Sequence, residues 1–407
     1  MGPHHISVTR REFLRLLLTT GAGLLSACAP RALLPAPTTT SLPTRQATRT
    51  PLATATFTPP PTSLPTPTPT LSPSPAPSDL IKNIVVFIQE NHTFDSLFAG
   101  FPGADGEFAG QVCPDRLPAD PPHQHADALR PDGATTKASR CSYTEADASN
   151  YWKVARTFTL CDRFFPDVRG PSHPNYLMLI AGQSPIANTP FPSDVCPDFC
   201  LDIPVLPNRL DERGLTWRDY GGIFTSIKSL VGRPEVMDRH DEQFFQDAAA
   251  GTLPDVAWLN SVFLLEGYAK SGHPPGSLCD AENYAVRVLN AVMQGPQWTS
   301  TALFLVWDDW GGFYDHVDPP VVESWTDGTP FRYGFRVPCI VVSPYARASY
   351  VSHETHSLVS LLKFAETLFD LEPLTERDAS ASTMLDCFDF TQAPLPPLTL
   401  TERECPQ

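Results

Sequence analysis

Three short runs of apolar, mostly β-branched residues stand out along the chain. They are residues 81–89 (IKNIVVFIQ), 302–307 (ALFLVW) and 337–342 (VPCIVV). Such runs lack the alternation of a sheet with one wet face, and they predict strands buried on both sides. Residues 280–293 and 356–368 instead carry apolar side chains three and four apart, which predicts helices with one buried face. Strands interleaved with helices give an α/β fold, a mostly parallel sheet covered on both faces. Ligands of such sheets gather at the carboxyl ends of the strands. No internal repeat is found.

The polar residues follow that rule. The first run ends in Glu90-Asn91, and the second in Asp308-Asp309 followed by Gly311-Gly312. Two carboxylates past one buried strand and a third past another can form an oxygen-rich cage for a divalent cation. Helix capping by Asn91 or Asp309 explains the same residues without a metal. Ser172, in Arg169-Gly170-Pro171-Ser172-His173-Pro174-Asn175, precedes the apolar run 176–181 and sits at a predicted helix start. Free amide groups and the helix dipole there suit a nucleophile that attacks phosphorus; a plain helix cap is the alternative. His123, His125, His240, His273 and His316 lie in loops, where they could bind metal, move protons or simply be solvated. The chain has neither a Gly-rich phosphate loop nor a G-x-S-x-G elbow, so nucleotide-motor and α/β-hydrolase chemistry lack their signatures.

The amino-terminal fifth reads differently. Arg10-Arg11 precede an apolar run over residues 16–25 that ends in Ser26-Ala27-Cys28. The run is too short to span about 30 Å of hydrocarbon, so it predicts a signal segment, not an anchor. It resembles a twin-arginine signal, and Leu25-Ser26-Ala27-Cys28 resembles a bacterial lipobox, which implies cleavage before Cys28 and lipidation of its thiol. An ordinary secretory signal with a chance cysteine is the alternative. Residues 31–78 then hold 13 Pro and 13 Thr with no acidic residue, the composition of an extended, disordered spacer. The expected organisation is a signal over 1–28, a linker over 29–78, a catalytic domain over 79–395 and a tail over 396–407. The protein is expected to be exported and held on the extracytoplasmic face of the membrane through Cys28, or else secreted.

Composition sharpens this picture in two places. Residues 1–78 contain six Arg and one Glu, so the remainder carries 23 basic and 44 acidic side chains, a net −21. That balance excludes a nucleic-acid partner, which needs a basic footprint. Nine Cys follow Cys28, so at most four disulfides form within the rest of the chain. Cys196 and Cys200 are the expected local pair, with a structural zinc site as the competing explanation.

Residues 84–95 (IVVFIQENHTFD), 170–175 (GPSHPN) and 307–317 (WDDWGGFYDHV) together resemble the bacterial phosphoesterase family that contains phospholipases C and a branch of acid phosphatases. The similarity extends from residue 81 to about residue 390 and includes Leu374-Thr375-Glu376-Arg377-Asp378-Ala379 and Phe388-Asp389-Phe390. It implies a three-layer α/β/α sandwich like that of alkaline phosphatase and a metal-assisted phosphate-ester hydrolase. By position it implies Glu90, Asn91, Asp308 and Asp309 as ligands of one divalent ion (calcium, zinc, manganese or magnesium). It also implies Ser172 as nucleophile and His123, His273 and His240 as active-site histidines. The chain around His240 departs from the family pattern, and Asp309 stands where many members have Glu. Ser172 and the Asp308-Asp309 pair favour a phosphomonoesterase of the acid phosphatase branch. A phospholipase C is the alternative, weakened by the net −21 and by the little chain left after Phe390 for a lipid-binding domain. A surface lipoprotein with a dead site is the third.

Overall fold

The structure, a computed structural model, describes residues 75–189, 200–238, 241–262, 264, 266–324 and 328–406. The strands are β1 (Asn83–Gln89), β2 (Thr159–Phe165), β3 (Trp217–Gly221), β4 (Val236–Asp238), β5 (Val256–Asn260) and β6 (Thr301–Trp307). They continue with β7 (Val321–Ser324), β8 (Pro330–Arg332), β9 (Val337–Val342), β10 (Tyr350–Ser352) and β11 (His356–Ser357). All but β7 and β8, which form a separate hairpin, join one sheet in the order β10-β2-β9-β6-β1-β5-β3-β4, with β11 pairing the end of β2. Every residue of β1, β5, β6 and β9 is buried, as continuous apolar runs require of central strands.

The main helices are α1 (Ser149–Thr157), α2 (Ser172–Ala181), α3 (Leu206–Glu212), α4 (Glu242–Ala250), α5 (Leu278–Met293) and α6 (Leu358–Phe369). They form two groups: α2 packs on α3 and α6, while α5 packs on α1 and α4. Alternate residues of β1 separate the groups. Ile84 and Val86 meet Leu179 of α2, Leu206 of α3 and Leu361 of α6, whereas Phe87 meets Tyr284 of α5 edge-on at 6.0 Å. The result is three layers, α/β/α, around a mostly parallel sheet.

Two details differ from the sequence expectation. The run 337–342 is a central strand, but β9 runs antiparallel to both β2 and β6. Its burial is the same in either direction, so hydrophobic pattern alone carries no information on strand sense. The helix expected from residue 356 begins at Leu358, because His356 and Ser357 extend beside Phe164 and Phe165 of β2. The carboxyl tail is strapped to α5 by the Cys279–Cys405 disulfide and by a hydrogen bond from Arg403 to Glu282.

Candidate active site

Register brings the site together. Gln89 of β1 lies opposite Trp307 of β6, and Ile88 lies opposite Asn260 of β5. Three adjacent parallel strands therefore end level, with Glu90, Asp308 and Asn260 side by side at their carboxyl ends. Asn91 turns the chain in the left-handed region, at φ 59°, and its amide N–H donates to Asp308 Oδ1 at 3.2 Å. The N–H of Gly311 donates to Asp309 Oδ1 at 2.7 Å. A Cβ at Gly311 would lie 2.4 Å from that of Asn91, so the two turns touch only because residue 311 is glycine. Neither Asn91 nor Asp309 caps a helix. Thr93 caps the short helix Phe94–Phe98 by accepting from the N–H of Ser96.

Ser172 is the first residue of α2, directly after Pro171 at the N-cap. Its hydroxyl donates towards Glu90 Oε2 at 3.1 Å and Asp309 Oδ2 at 3.3 Å. The bend before it is pinned by Asn175, which accepts from the N–H of Val168 and donates to the carbonyls of Val168, Gly170 and Pro171.

Glu90, Asp308 and Asp309 are 1%, 0% and 0% exposed. Among the described residues, no Lys or Arg forms an ion pair with any of them. Burial first, and then the charge of Asp308, raise Glu90 and Asp309 well above the usual carboxylate range. Two oxygens here, Asn91 Oδ1 and Asp308 Oδ2, are buried without a hydrogen-bond partner. Three converging carboxylates, no counter-charge and two orphaned acceptors fit a divalent cation, and an all-oxygen donor set suits a hard one.

His123 Nε2 lies 3.2 Å from Asn91 Nδ2, and its Nδ1 lies 2.7 Å from the carbonyl of Pro121. Those partners suit Nδ1–H donating to the carbonyl and Nε2 accepting from the Asn91 amide. They also direct Asn91 Oδ1 away from His123. His273 stands beside it, ring centres 5.7 Å apart, and burial lowers its proton affinity below the usual value. Asp120, His123 and His273 have ligand atoms within 4.8 Å of one another, so this trio could hold a cation of its own. A cavity of about 320 Å³ joins the histidines to the rest, lined by Glu90, Asp120, His123, Ser172, Tyr268 and His273.

Two other histidines go elsewhere. His125 is hydrogen-bonded to the carbonyl of Arg169 and faces a separate cavity of about 590 Å³ that contains none of the three carboxylates. His316 lies against Asp95 and Asp105. His240, Cys28 and Cys196 lie outside the described residues; Cys200 is disulfide-bonded.

Sequence reasoning overlooked Tyr176, Asn260 and Asp120. The Tyr176 hydroxyl donates to Glu90 Oε1, and Asn260 Nδ2 lies 3.4 Å from the same oxygen. Each carried a signal. Tyr176 is four residues after Ser172, on the same helix face. Asn260 ends the apolar run VAWLN as Glu90 and Asp308 end theirs. Asp120 lies only three residues before His123.

The Phosphoesterase family matches residues 119–372, a span that holds Ser172, His123, His273, Asp308 and Asp309 but begins after Glu90 and Asn91. Phospholipase C A of Mycobacterium tuberculosis is 27% identical over 77% of this chain and 78% of its own length. Hemolytic phospholipase C of Pseudomonas aeruginosa is 24% identical over 77% of this chain and 56% of its own. Non-specific phospholipase C6 of Arabidopsis thaliana is 28% identical over 62% and 54%. Among solved structures, a protein of the alkaline phosphatase superfamily from Vibrio parahaemolyticus covers 74% of the chain at 13% identity and a TM-score of 0.39. Matched over well more than half its length, the chain belongs to the Phosphoesterase family and is a phosphoric ester hydrolase.

Proposed function

We propose that Ser172 is the nucleophile of a phosphomonoesterase that works through a phosphoserine. The observation that carries this is the Ser172 hydroxyl, placed at a helix start and turned onto the Glu90 and Asp309 carboxylates at 3.1 and 3.3 Å. Glu90, Asn91, Asp308 and Asp309 would hold one divalent cation, whose charge would stabilise the serine alkoxide and the phosphoryl oxygens. Ser172 Oγ attacks phosphorus and passes its proton to the carboxylate it faces. The bond to the leaving oxygen breaks in line. Burial lowers the proton affinity of His273, the incoming phosphoryl charge raises it again, and the ring so protonated, with His123 beside it, supplies the proton that the leaving oxygen takes up. Water then attacks the phosphoserine, releases phosphate and restores the hydroxyl. Tyr176 and Asn260 hold Glu90 in place throughout, and positioning of this kind is the main protein contribution to phosphoryl transfer.

A second substrate class has a specific observation behind it: three relatives of this chain are named phospholipases C. Ser172 and the Asp308-Asp309 pair support the monoester reading, as does the charge of −21 outside residues 1–78, which repels anionic lipid surfaces. The paired arginines and Cys28 support an exported, lipid-anchored protein. No helix among the described residues is long and apolar enough to cross a membrane.

Replacing Ser172 by Ala should cut turnover by at least about 1,000-fold while the cation still binds, because the variant keeps every proposed ligand. Unchanged turnover would exclude this nucleophile. The wild-type protein, assayed on a chromogenic phosphomonoester and on phosphatidylcholine with calcium, magnesium, manganese or zinc, separates the two substrate classes.

A further inference from the structure

Three cysteines among the described residues remain unbridged, and all three are buried: Cys161, Cys339 and Cys387. They are not scattered. Cys161 of β2 faces Cys339 of β9 across the antiparallel pairing, and Cys161 Sγ lies 3.6 Å from Cys387 Sγ. Cys387 Sγ in turn lies 3.9 Å from His356 Nε2. The ligand atoms of Cys161, His356 and Cys387 are all within 4.8 Å of one another, and the three residues are 0%, 1% and 0% exposed.

We propose that Cys161, His356 and Cys387 form a buried structural site for a thiophilic divalent cation, zinc above all. The spacing fits. Zinc–sulfur bonds of about 2.3 Å at a tetrahedral angle set thiolate sulfurs about 3.8 Å apart, and a sulfur and a ring nitrogen slightly closer. The ring is already oriented for the task. His356 Nδ1 lies 2.9 Å from Ser382 Oγ, which leaves Nε2 facing the sulfurs, the outer-shell arrangement common to metal-bound histidines. The nearest candidates for the fourth position are Cys339, cross-strand partner of Cys161, and Asp386, whose Oδ1 is 3.4 Å from His356 Nε2. The donors come from β2, from β11 and from the turn Leu385–Cys387. A cation here would pin the carboxy-terminal segment to the sheet edge where α6 begins. It shares no residue with the carboxylate cluster, and its soft donors select a different metal.

Cobalt(II) is the probe, because thiolate ligands give it an intense sulfur-to-cobalt charge-transfer band that oxygen ligands do not. The full chain, reconstituted with cobalt, should show that band, and Cys387→Ser should lose the band and one equivalent of bound metal. Alkylation and mass analysis of the denatured wild-type chain, after chelation, should find Cys161, Cys339 and Cys387 all free. No thiolate band in the folded wild-type protein would overturn the site. So would a disulfide joining Cys161 to Cys387 or to Cys339. Both wild-type measurements stand even where Cys387→Ser fails to fold.

Discussion

Two buried acidic clusters draw their carboxylates from the segments that follow β1 and β6, and the chain treats them in opposite ways. In the first, Arg336 is fully buried and reaches Asp95 Oδ1 at 2.9 Å and Asp315 Oδ1 at 3.0 Å. Its remaining N–H groups donate to the carbonyls of Asp105 and Asp162, so every charge has a partner. In the second, Glu90, Asp308 and Asp309 face one another with only Ser172, Tyr176, Asn260 and backbone amides as donors. The proton affinities diverge accordingly. Burial raises Asp315 and the Arg336 guanidinium pulls it back, leaving it at about 6. Glu90 and Asp309, raised by burial and by Asp308, have no such restraint. The chain fills one acidic hole with its own cation and, among the described residues, supplies none to the other, where the proposed metal site lies. The first is compensated within the fold; the second carries a cost that the proposed cation would offset.

The largest expected effect separates those purposes. Asp308→Asn should lower turnover by about 1,000-fold or more, equivalent to about 4 kcal/mol of transition-state stabilisation. The same change should raise the stability of the cation-free protein, because it removes an uncompensated buried charge. Steady-state kinetics and chemical denaturation in chelator read the two signs. A variant that lost stability as well would mean that Asp308 is part of the fold's own support. Arg336→Met is the converse and comes next in size. It strands Asp315 without a counter-charge, leaves Asp95 only His316, and should cost about 3–5 kcal/mol, a loss that added divalent cation does not repair.

The contrast between the clusters was only half legible in the sequence. Glu90, Asn91, Asp308 and Asp309 were visible because each follows a continuous apolar run, and a strand buried on both faces must end where polar residues begin. The three layers followed from the same runs. Asn260 was hidden because VAWLN is short and passes for part of a helix or loop. Arg336 was hidden more thoroughly. It precedes β9 by one residue, and nothing local says that its side chain crosses the interior to Asp95, 241 positions away. Strand sense was illegible for a similar reason, since β9 is equally apolar in either direction. The direction of the Ser172 hydroxyl was illegible too, because Glu90, which it faces, follows β1, 82 positions away. Long-range pairing decides these points, and sequence periodicity reports only local burial.

Cation addition tests the comparison more gently. Calcium or magnesium, which thiolate donors do not hold, should at 100 times its dissociation constant stabilise the wild-type protein by about 2.7 kcal/mol. The gain should persist in Ser172→Ala, which keeps the ligands, and vanish in Asp308→Asn. Thermal denaturation with and without chelator measures it. An equal gain in Asp308→Asn would place the ion elsewhere, with the Asp120, His123 and His273 trio the first place to look.

The smallest effect is the pH dependence of that gain, and its sign follows from the raised carboxylates. Without a cation, the folded state holds protons on Glu90 and Asp309 that the unfolded chain releases near their ordinary values. Stability should therefore fall as pH rises above about 4, because the unfolded chain ionises first. A bound cation requires those protons to leave, so its stabilising effect should grow with pH, by about 1.4 kcal/mol per pH unit for each proton displaced. Asp315 has the same sign without a cation: its folded value of about 6 lies above the unfolded one. Its share of stability is lost between about pH 4 and pH 6, whether or not metal is present. Melting curves from pH 4 to 8, with chelator and with cation, separate the two clusters. If the cation's stabilising effect were flat with pH, the ion would be bound without displacing protons, and Glu90 and Asp309 could not be the groups that receive it.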